Sequence, residues 1–141
     1  MKIPQSVRKL IESGVPAHLV TLNRDGSPQV TIVWIGLDGD EIVAGHLPEN
    51  RKVRNIRRDG RVAISLQAST KSVMELTEYV VLYGDARIEE GGAAALLQKL
   101  AGVYIGPGVK FPPMDNPPPG YITRMHVKRI EGVGPWTGRP V

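Results

Sequence analysis

The segment 45–56 holds the most informative residues of the chain and reads GHLPENRKVRNI. Its first two residues, Gly45 and His46, are predicted to end a strand, and a helix is predicted to begin a few residues later. The first turn of a helix presents free backbone N–H groups and a partial positive charge, and here it also carries Arg51 and Lys52. Cations are disfavoured at that end of a helix, so an anion would relieve the conflict. The pattern fits a phosphate held by both side chains, and a solvated basic face fits the composition equally well.

The run QVTIVWIG at 29–36 is a second candidate surface, because it is rich in β-branched residues and is predicted to be a strand. Alternate side chains of a strand point to opposite faces. One face is expected to be core, and the other carries small polar groups that could hydrogen-bond the edge of a heterocycle. A half-exposed sheet face is the simpler explanation. The two faces consist of Gln29, Thr31 and Val33, and of Val30, Ile32 and Trp34.

The sequence lacks the motifs of several common classes of enzyme and metal site. There is no cysteine, and the three histidines are isolated in sequence, so no zinc-ligand spacing is present and no metal site is predicted. Nucleophile-elbow, Walker and Rossmann patterns are also missing. No catalytic side chain can therefore be named. The remaining chemistry is redox carried out by a bound cofactor, which needs little acid–base machinery from the protein, although a non-enzyme fits the same observation.

Short elements joined by turns must position these residues. Six strands with tight turns predict a mainly antiparallel barrel, which is too narrow to enclose a ligand, so a ligand would lie outside it or between two barrels. One domain is expected over 1–141, and the long segment 102–120 is expected to be a functional or mobile loop. The predicted strands are 17–22, 29–36, 41–45, 61–67, 78–88 and 121–130, with 68–77 as an ambiguous connection, and the predicted helices are 4–13, 49–58 and 92–101.

Composition limits the partners. The net charge of +4 favours an anionic partner, either nucleic acid or a phosphorylated or polycarboxylate cofactor. Only 5% of the residues are aromatic, which argues against a base-stacking surface and hence against nucleic acid. No apolar run has the length of a signal peptide or a membrane span, so a cytoplasmic location without membrane contact is expected.

Two runs of the sequence, 19–45 and 50–66, resemble the split β-barrel flavin and deazaflavin oxidoreductases, the relatives of pyridoxamine 5′-phosphate oxidase. The shared features are the Asp-Gly-Ser-Pro turn at 25–28, the stretch VWIG at 33–36, and the Arg-Lys helix start with the Asp-Gly-Arg-Val that follows it. The resemblance implies a homodimer with two cofactor sites at the subunit interface. It implies cofactor contacts by Thr31, Val33, Trp34, Gly45, His46, Arg51, Lys52, Asn55, Gln67 and Trp136, with Arg139 near the same C-terminal region.

Within this family the chain is most similar to the actinobacterial branch that uses the deazaflavin coenzyme F420. The short length and the RKxRN form carry that similarity, and the C-terminal motif of the true oxidases is not recognisable. F420 bears a phosphate and a polyglutamate tail, for which Arg54, Arg57, Arg58 and Arg61 offer extra cationic surface. The implied activity is hydride transfer from reduced F420 to an unsaturated organic substrate. The alternatives are an FMN-binding reductase or oxidase on the same fold, and a non-catalytic binding protein for a cofactor, haem or nucleic acid.

Overall fold

The computed structural model describes residues 1–72 and 75–137. Within them the chain forms one antiparallel sheet with three α-helices and a short 3₁₀ turn at Pro135–Thr137. None of the helices in these ranges is long and apolar enough to cross a membrane. The strands are β1 Ala17–Leu22, β2 Pro28–Val33, β3 Gly36–Asp38, β4 Glu41–His46, β5 Arg61–Lys71, β6 Thr77–Glu90 and β7 Tyr121–Val133, and the helices are α1 Gln5–Glu12, α2 Arg51–Arg58 and α3 Ala93–Tyr104.

The sheet has the strand order β2-β1-β5-β6-β7-β4-β3, and every pair is antiparallel. Its two outermost strands, β2 and β3, are consecutive in the chain and are separated only by Trp34 and Ile35. The sheet therefore curves until its two ends meet at this corner. This arrangement confirms the predicted mainly antiparallel split barrel.

The predicted strand 29–36 is in fact two strands, which raises the strand count in the described residues from six to seven. The first part pairs with β1 as far as Val33, and the second pairs with β4 from Gly36 onward. Between them, the Ile35 N–H donates to the hydroxyl of Tyr104 (3.1 Å) instead of to a strand. The chain thus leaves one pairing partner for another at a bend that alternation of side chains does not reveal.

The core lies between the inner faces of the strands and α1. Val7 and Ile11 on the helix pack with Leu19, Leu82 and Val127 of the sheet, and all five are almost fully buried. The strand predicted over 61–67 is confirmed as part of β5, and its inward residues Val62, Ile64 and Leu66 belong to this core.

Two further details of the strands differ from or extend the sequence expectations. Much of the segment 68–77, expected as a connection, continues β5 as far as Lys71, where it pairs with Thr77. The register between β6 and β7 shifts at Gly84. A side chain there would collide with the carbonyl oxygen of His126, so the close approach of the two strands requires glycine.

Candidate cofactor site

Helix α2 lies against the β1–β2 hairpin, and a buried amide fixes it there. The Nδ2 group of Asn55 donates to Thr21 Oγ1 (3.0 Å), Asn23 Oδ1 (3.0 Å) and Gln29 Oε1 (3.3 Å). Asn55 is 2% exposed. Its contacts tie the middle of α2 to both strands of the hairpin, so Asn55 positions the basic residues on either side of it.

Lys52 extends from the first turn of α2 toward β2. Its Nζ donates to Thr31 Oγ1 at 3.3 Å, so the structure brings together two of the residues singled out from the sequence. Among residues 1–72 and 75–137, no carboxylate lies within ion-pair distance of Lys52. Partial burial lowers the pKa of this ammonium group. A desolvated cation without a counter-ion is suited to binding an anion or a polarised carbonyl.

The neighbouring Arg51 points in another direction, because successive residues of a helix are turned by about 100°. It lines an open cleft of about 510 Å³ between α2 and the 23–28 turn. Arg24, Arg54 and Arg58 line the same cleft, and in the described part of the chain none of the four arginines is ion-paired to a carboxylate. The other lining residues are Asn23, Asp25, Ser27 and Asn55.

The single carboxylate that lines this cleft is engaged elsewhere. Asp25 Oδ1 accepts hydrogen bonds from the backbone N–H of Ser27 (3.0 Å) and from its hydroxyl (2.5 Å). These bonds, the hydroxyl first, lower the pKa of the carboxyl group. The cleft therefore presents an excess of positive charge toward solvent.

Two of the arginines expected to add cationic surface are already neutralised. Arg57 forms ion pairs with Glu49 (2.9 Å) and Glu90 (3.1 Å), and Arg61 forms one with Asp59 (2.7 Å). Only Arg54 and Arg58 of the four predicted residues face the cleft. Arg24, which sequence reasoning missed, joins them from the hairpin turn, and no local pattern in the sequence links that turn to α2.

Gly45 and His46 are the last two residues of β4; His46 contacts β7, and Gly45 lies under α3. His46 is 5% exposed, and its Nε2 lies 2.8 Å from Thr123 Oγ1. Burial, and secondarily the charge of Lys52, lowers the pKa of His46 to about 4, so the imidazole is neutral at pH 7. Gly45 lies under α3, where a Cβ atom would be 3.0 Å from Leu97 Cγ. Packing of α3 therefore accounts for this glycine without a ligand, and its role in cofactor binding stays a prediction.

The two faces of β2 are arranged opposite to the sequence interpretation. The polar face was interpreted as the one that meets a ligand, but Gln29 accepts a hydrogen bond from Asn55, and Val33 is only 9% exposed. Val30 and Ile32 are instead 60% and 64% exposed. The polar groups are satisfied by α2, which leaves the apolar face of β2 open. The Val33 side chain thus offers little surface to a ligand.

The remaining predicted site residues lie away from α2 in the single chain. Gln67 is exposed and pairs with Tyr79, and the carbonyl of Tyr79 accepts a hydrogen bond from the Trp136 indole (2.9 Å). These residues follow the end of β5 that pairs with Ala17, whereas α2 contacts Thr21 near the other end of β1. Trp34 stacks on Tyr104, and Arg139 lies outside the described residues.

Comparison with known proteins identifies the family. A family profile described as pyridoxamine 5′-phosphate oxidase matches residues 3–133. The chain belongs to this family. Membership, together with the structural relatives below, supports a flavin- or deazaflavin-type oxidoreductase. A search of curated protein sequences finds no significant match.

Solved structures with the same fold include an F420 reductase, which is 25% identical in sequence and has a TM-score of 0.73. The match covers 92% of this chain and 98% of the reductase chain. A conserved hypothetical protein from Mycobacterium tuberculosis is 22% identical with a TM-score of 0.71, covering 99% of this chain and 90% of its own. HupZ from Group A Streptococcus is 20% identical with a TM-score of 0.66, covering 92% and 93%. The last two comparisons concern the fold alone.

Proposed function

We propose that this family member is an F420-dependent oxidoreductase that transfers a hydride from the reduced coenzyme to an unsaturated organic substrate. The observation that carries this choice is the arginine-lined cleft beside Lys52. FMN brings a single phosphate, for which Arg51 as a bidentate partner suffices. F420 brings a phosphate and a row of carboxylates, which would use Arg24, Arg54 and Arg58 as well. The F420 reductase among the structural relatives supports the same choice.

The residues present fit such a coenzyme. Arg51 would hold its phosphate, the other arginines of the cleft would hold its tail, and Lys52, which points toward Thr31, would meet a polarised oxygen of the coenzyme beside β2. When bound, the coenzyme supplies the hydride, and the chain binds and orients it. His46, which is neutral at pH 7, offers a fixed hydrogen-bonding group beside Lys52. No side chain is assigned as the proton donor, and solvent serves that role in the proposal.

We also propose that the active form is a homodimer with the two sites at its interface. The outer face of β2 supports this assembly, because Val30 and Ile32 together present an apolar strip to solvent. On the same face, Val20 lies beside Val30 and is followed by Ala63 and Tyr83, whereas His18 lies beside Ile32 and is followed by Ser65 and Val81. Tyr79, which is 42% exposed, lies farther along β6. A second copy on this face would give Gln67 and Trp136 of one subunit access to the other subunit's site.

Titration of the purified apo-protein with F420 and with FMN tests the cofactor assignment. We expect tighter binding of F420, and at least a tenfold loss of affinity in the double variant Arg51→Ala/Lys52→Ala, since each charge-assisted bond is worth about 1.5–3 kcal/mol. The double variant Arg54→Ala/Arg58→Ala should weaken F420 binding much more than FMN binding.

The matched control for those variants is Arg57→Ala/Arg61→Ala. It removes the same charge from the same region, but both side chains are ion-paired away from the cleft. F420 affinity should change less than about threefold, because neither side chain lines the cleft and solvent screens exposed charges outside it. If Arg54→Ala/Arg58→Ala and Arg57→Ala/Arg61→Ala lost the same F420 affinity, net charge alone would govern binding, and the cleft assignment would be contradicted.

The family itself favours a second candidate, an FMN-dependent reductase or oxidase, because the profile that matches is described as pyridoxamine 5′-phosphate oxidase. Tighter binding of FMN than of F420 would establish that candidate and would leave the arginine cleft without its proposed ligand. Binding of neither would leave only the family and the fold.

A further inference from the structure

An aromatic cluster occupies the corner between β2 and β3. The Trp34 ring stacks on Tyr104 with centroids 5.4 Å apart and planes inclined by 12°. It also meets Phe111, tilted by 53° at a centroid distance of 4.9 Å. The Tyr104 hydroxyl accepts from Ile35 N–H (3.1 Å) and lies 3.4 Å from the Ile35 carbonyl oxygen, to which it donates. The cluster thus joins the end of α3 to the bend in the barrel.

The long segment after α3 is anchored at the same place. Gln98 donates from Nε2 to the Val109 carbonyl (2.7 Å) and accepts at Oε1 from the Phe111 N–H (2.9 Å). One side chain of α3 therefore holds the backbone on both sides of Lys110. Together with the Trp34 contact, these bonds fix Phe111 against the barrel, so this part of the loop has a defined position.

Trp34 follows directly after β2, three residues beyond Thr31, which accepts a hydrogen bond from Lys52. A coenzyme held at Lys52 and extended along β2 would therefore bring its ring toward Trp34. The Trp34 ring already has two aromatic partners from the chain, and both Trp34 and Phe111 are half-buried. Its contacts therefore suit it to holding Phe111 in place, and Phe111 keeps part of its surface exposed.

We propose that Phe111, held by Trp34 and Gln98, is a specificity-determining residue that forms one wall of the substrate site and favours flat aryl-substituted alkenes over small aliphatic ones. The proposal rests on the proposed function. A fixed aromatic wall binds a second ring through stacking or edge contacts without first having to be ordered. The acceptor gains a hydride at one alkene carbon and a proton from solvent at the other. Its C=C double bond becomes a single bond while the coenzyme is oxidised by two electrons.

The test compares two enones as acceptors with F420-loaded protein that has been reduced beforehand: the diaryl enone chalcone and the small aliphatic 2-cyclohexen-1-one. In Phe111→Leu, which keeps an apolar side chain but removes the ring, the ratio of kcat/KM for chalcone to that for cyclohexenone should fall about three- to tenfold. Gln98→Ala should lower the ratio in the same direction and increase amide hydrogen exchange over 105–115. The control Lys110→Ala removes only an exposed ion pair with Asp115 in the same segment, and its ratio should stay within twofold.

F420 affinity, measured by titration, separates the two proposals. If wild-type protein fails to bind F420, the proposed function fails and this inference falls with it. If F420 binds and the ratio is unchanged in Phe111→Leu, or if the wild type reduces neither enone or prefers cyclohexenone, the specificity proposal alone is overturned. A loss of F420 affinity in Phe111→Leu as large as the change in ratio would also overturn it, because Phe111 would then contact the coenzyme. Unchanged affinity with a lowered ratio supports it.

Discussion

The buried amide of Asn55 is the contact on which the geometry of the proposed site depends. Asn55→Ala removes the three hydrogen bonds that Nδ2 donates, to Thr21, Asn23 and Gln29, and the one that Oδ1 accepts from Arg58 (3.2 Å). Thr21 is only 1% exposed, so water does not replace the lost partner easily. Leaving a buried polar group without its partner costs about 1–3 kcal/mol, and with the cavity left behind we expect a loss of about 2–3 kcal/mol in the free energy of unfolding. The melting temperature should fall by about 10 °C.

Thermal and urea unfolding measure this loss, and two further variants locate its origin. Thr21→Val removes one acceptor of the same network, so in Asn55→Ala/Thr21→Val the combined loss should be smaller than the sum by about 0.5–1 kcal/mol. Arg51→Ala, an exposed substitution in the same helix, should stay within about 0.5 kcal/mol of wild type. A loss below about 1 kcal/mol for Asn55→Ala, or strict additivity with Thr21→Val, would refute the role assigned to the network.

Three other predictions concern the dimer, the buried histidine and the packing of α3. Ile32→Asp places a charge on the exposed apolar strip and should convert a dimer of about twice the 15.4 kDa chain mass into a monomer in light scattering, whereas a wild-type monomer would contradict the shared site. Because the pKa of His46 is lowered from 6.5 to about 4, the unfolded chain binds the extra proton first, so stability should decline by about 3 kcal/mol as the pH falls from about 6.5 to about 4 and then lose no more from this group. His46→Gln should remove that part of the pH dependence in urea unfolding, and an unchanged profile would rule out the buried neutral imidazole. Gly45→Ala in β4 should cost about 1–2 kcal/mol of stability through contact with Leu97 of α3. Gly102→Ala, which lies within α3 and has open space around it, should stabilise by about 0.5–1 kcal/mol; equal effects would contradict the packing role of Gly45.

The helices and strands were predicted correctly from the sequence where apolar side chains recur with one spacing, helical or alternating, throughout the segment. The helix starting near Asn50 and the strand over 61–67 are examples, because side-chain spacing and the flanking turn residues agree in both. The bend at Trp34 did not follow, since the residues that hold it, Tyr104 and Phe111, lie far away in the chain. Periodicity reports which residues share a face and carries no information about distant partners.

The site was predictable in its parts and not in its arrangement. The two adjacent cations of α2 were found from their type and position, but their divergence, with Lys52 toward Thr31 and Arg51 toward the cleft, depends on how Asn55 docks the helix. The alternation of β2 was correct and its orientation was not. Hydrophobicity assigns Val30 and Ile32 to the core, and that assignment fails because both side chains are mostly exposed in the single chain.

Binding of F420 with and without its glutamate tail tests the central claim most directly. The measurement is a fluorescence titration of the wild-type protein with both forms of the coenzyme, each at low and at high salt. If the cleft lined by Arg24, Arg54 and Arg58 holds the tail, the form without glutamates should bind at least tenfold more weakly, and its affinity should depend less on salt. Equal affinity of the two forms, with the same salt dependence, would contradict the assignment of this cleft to the coenzyme.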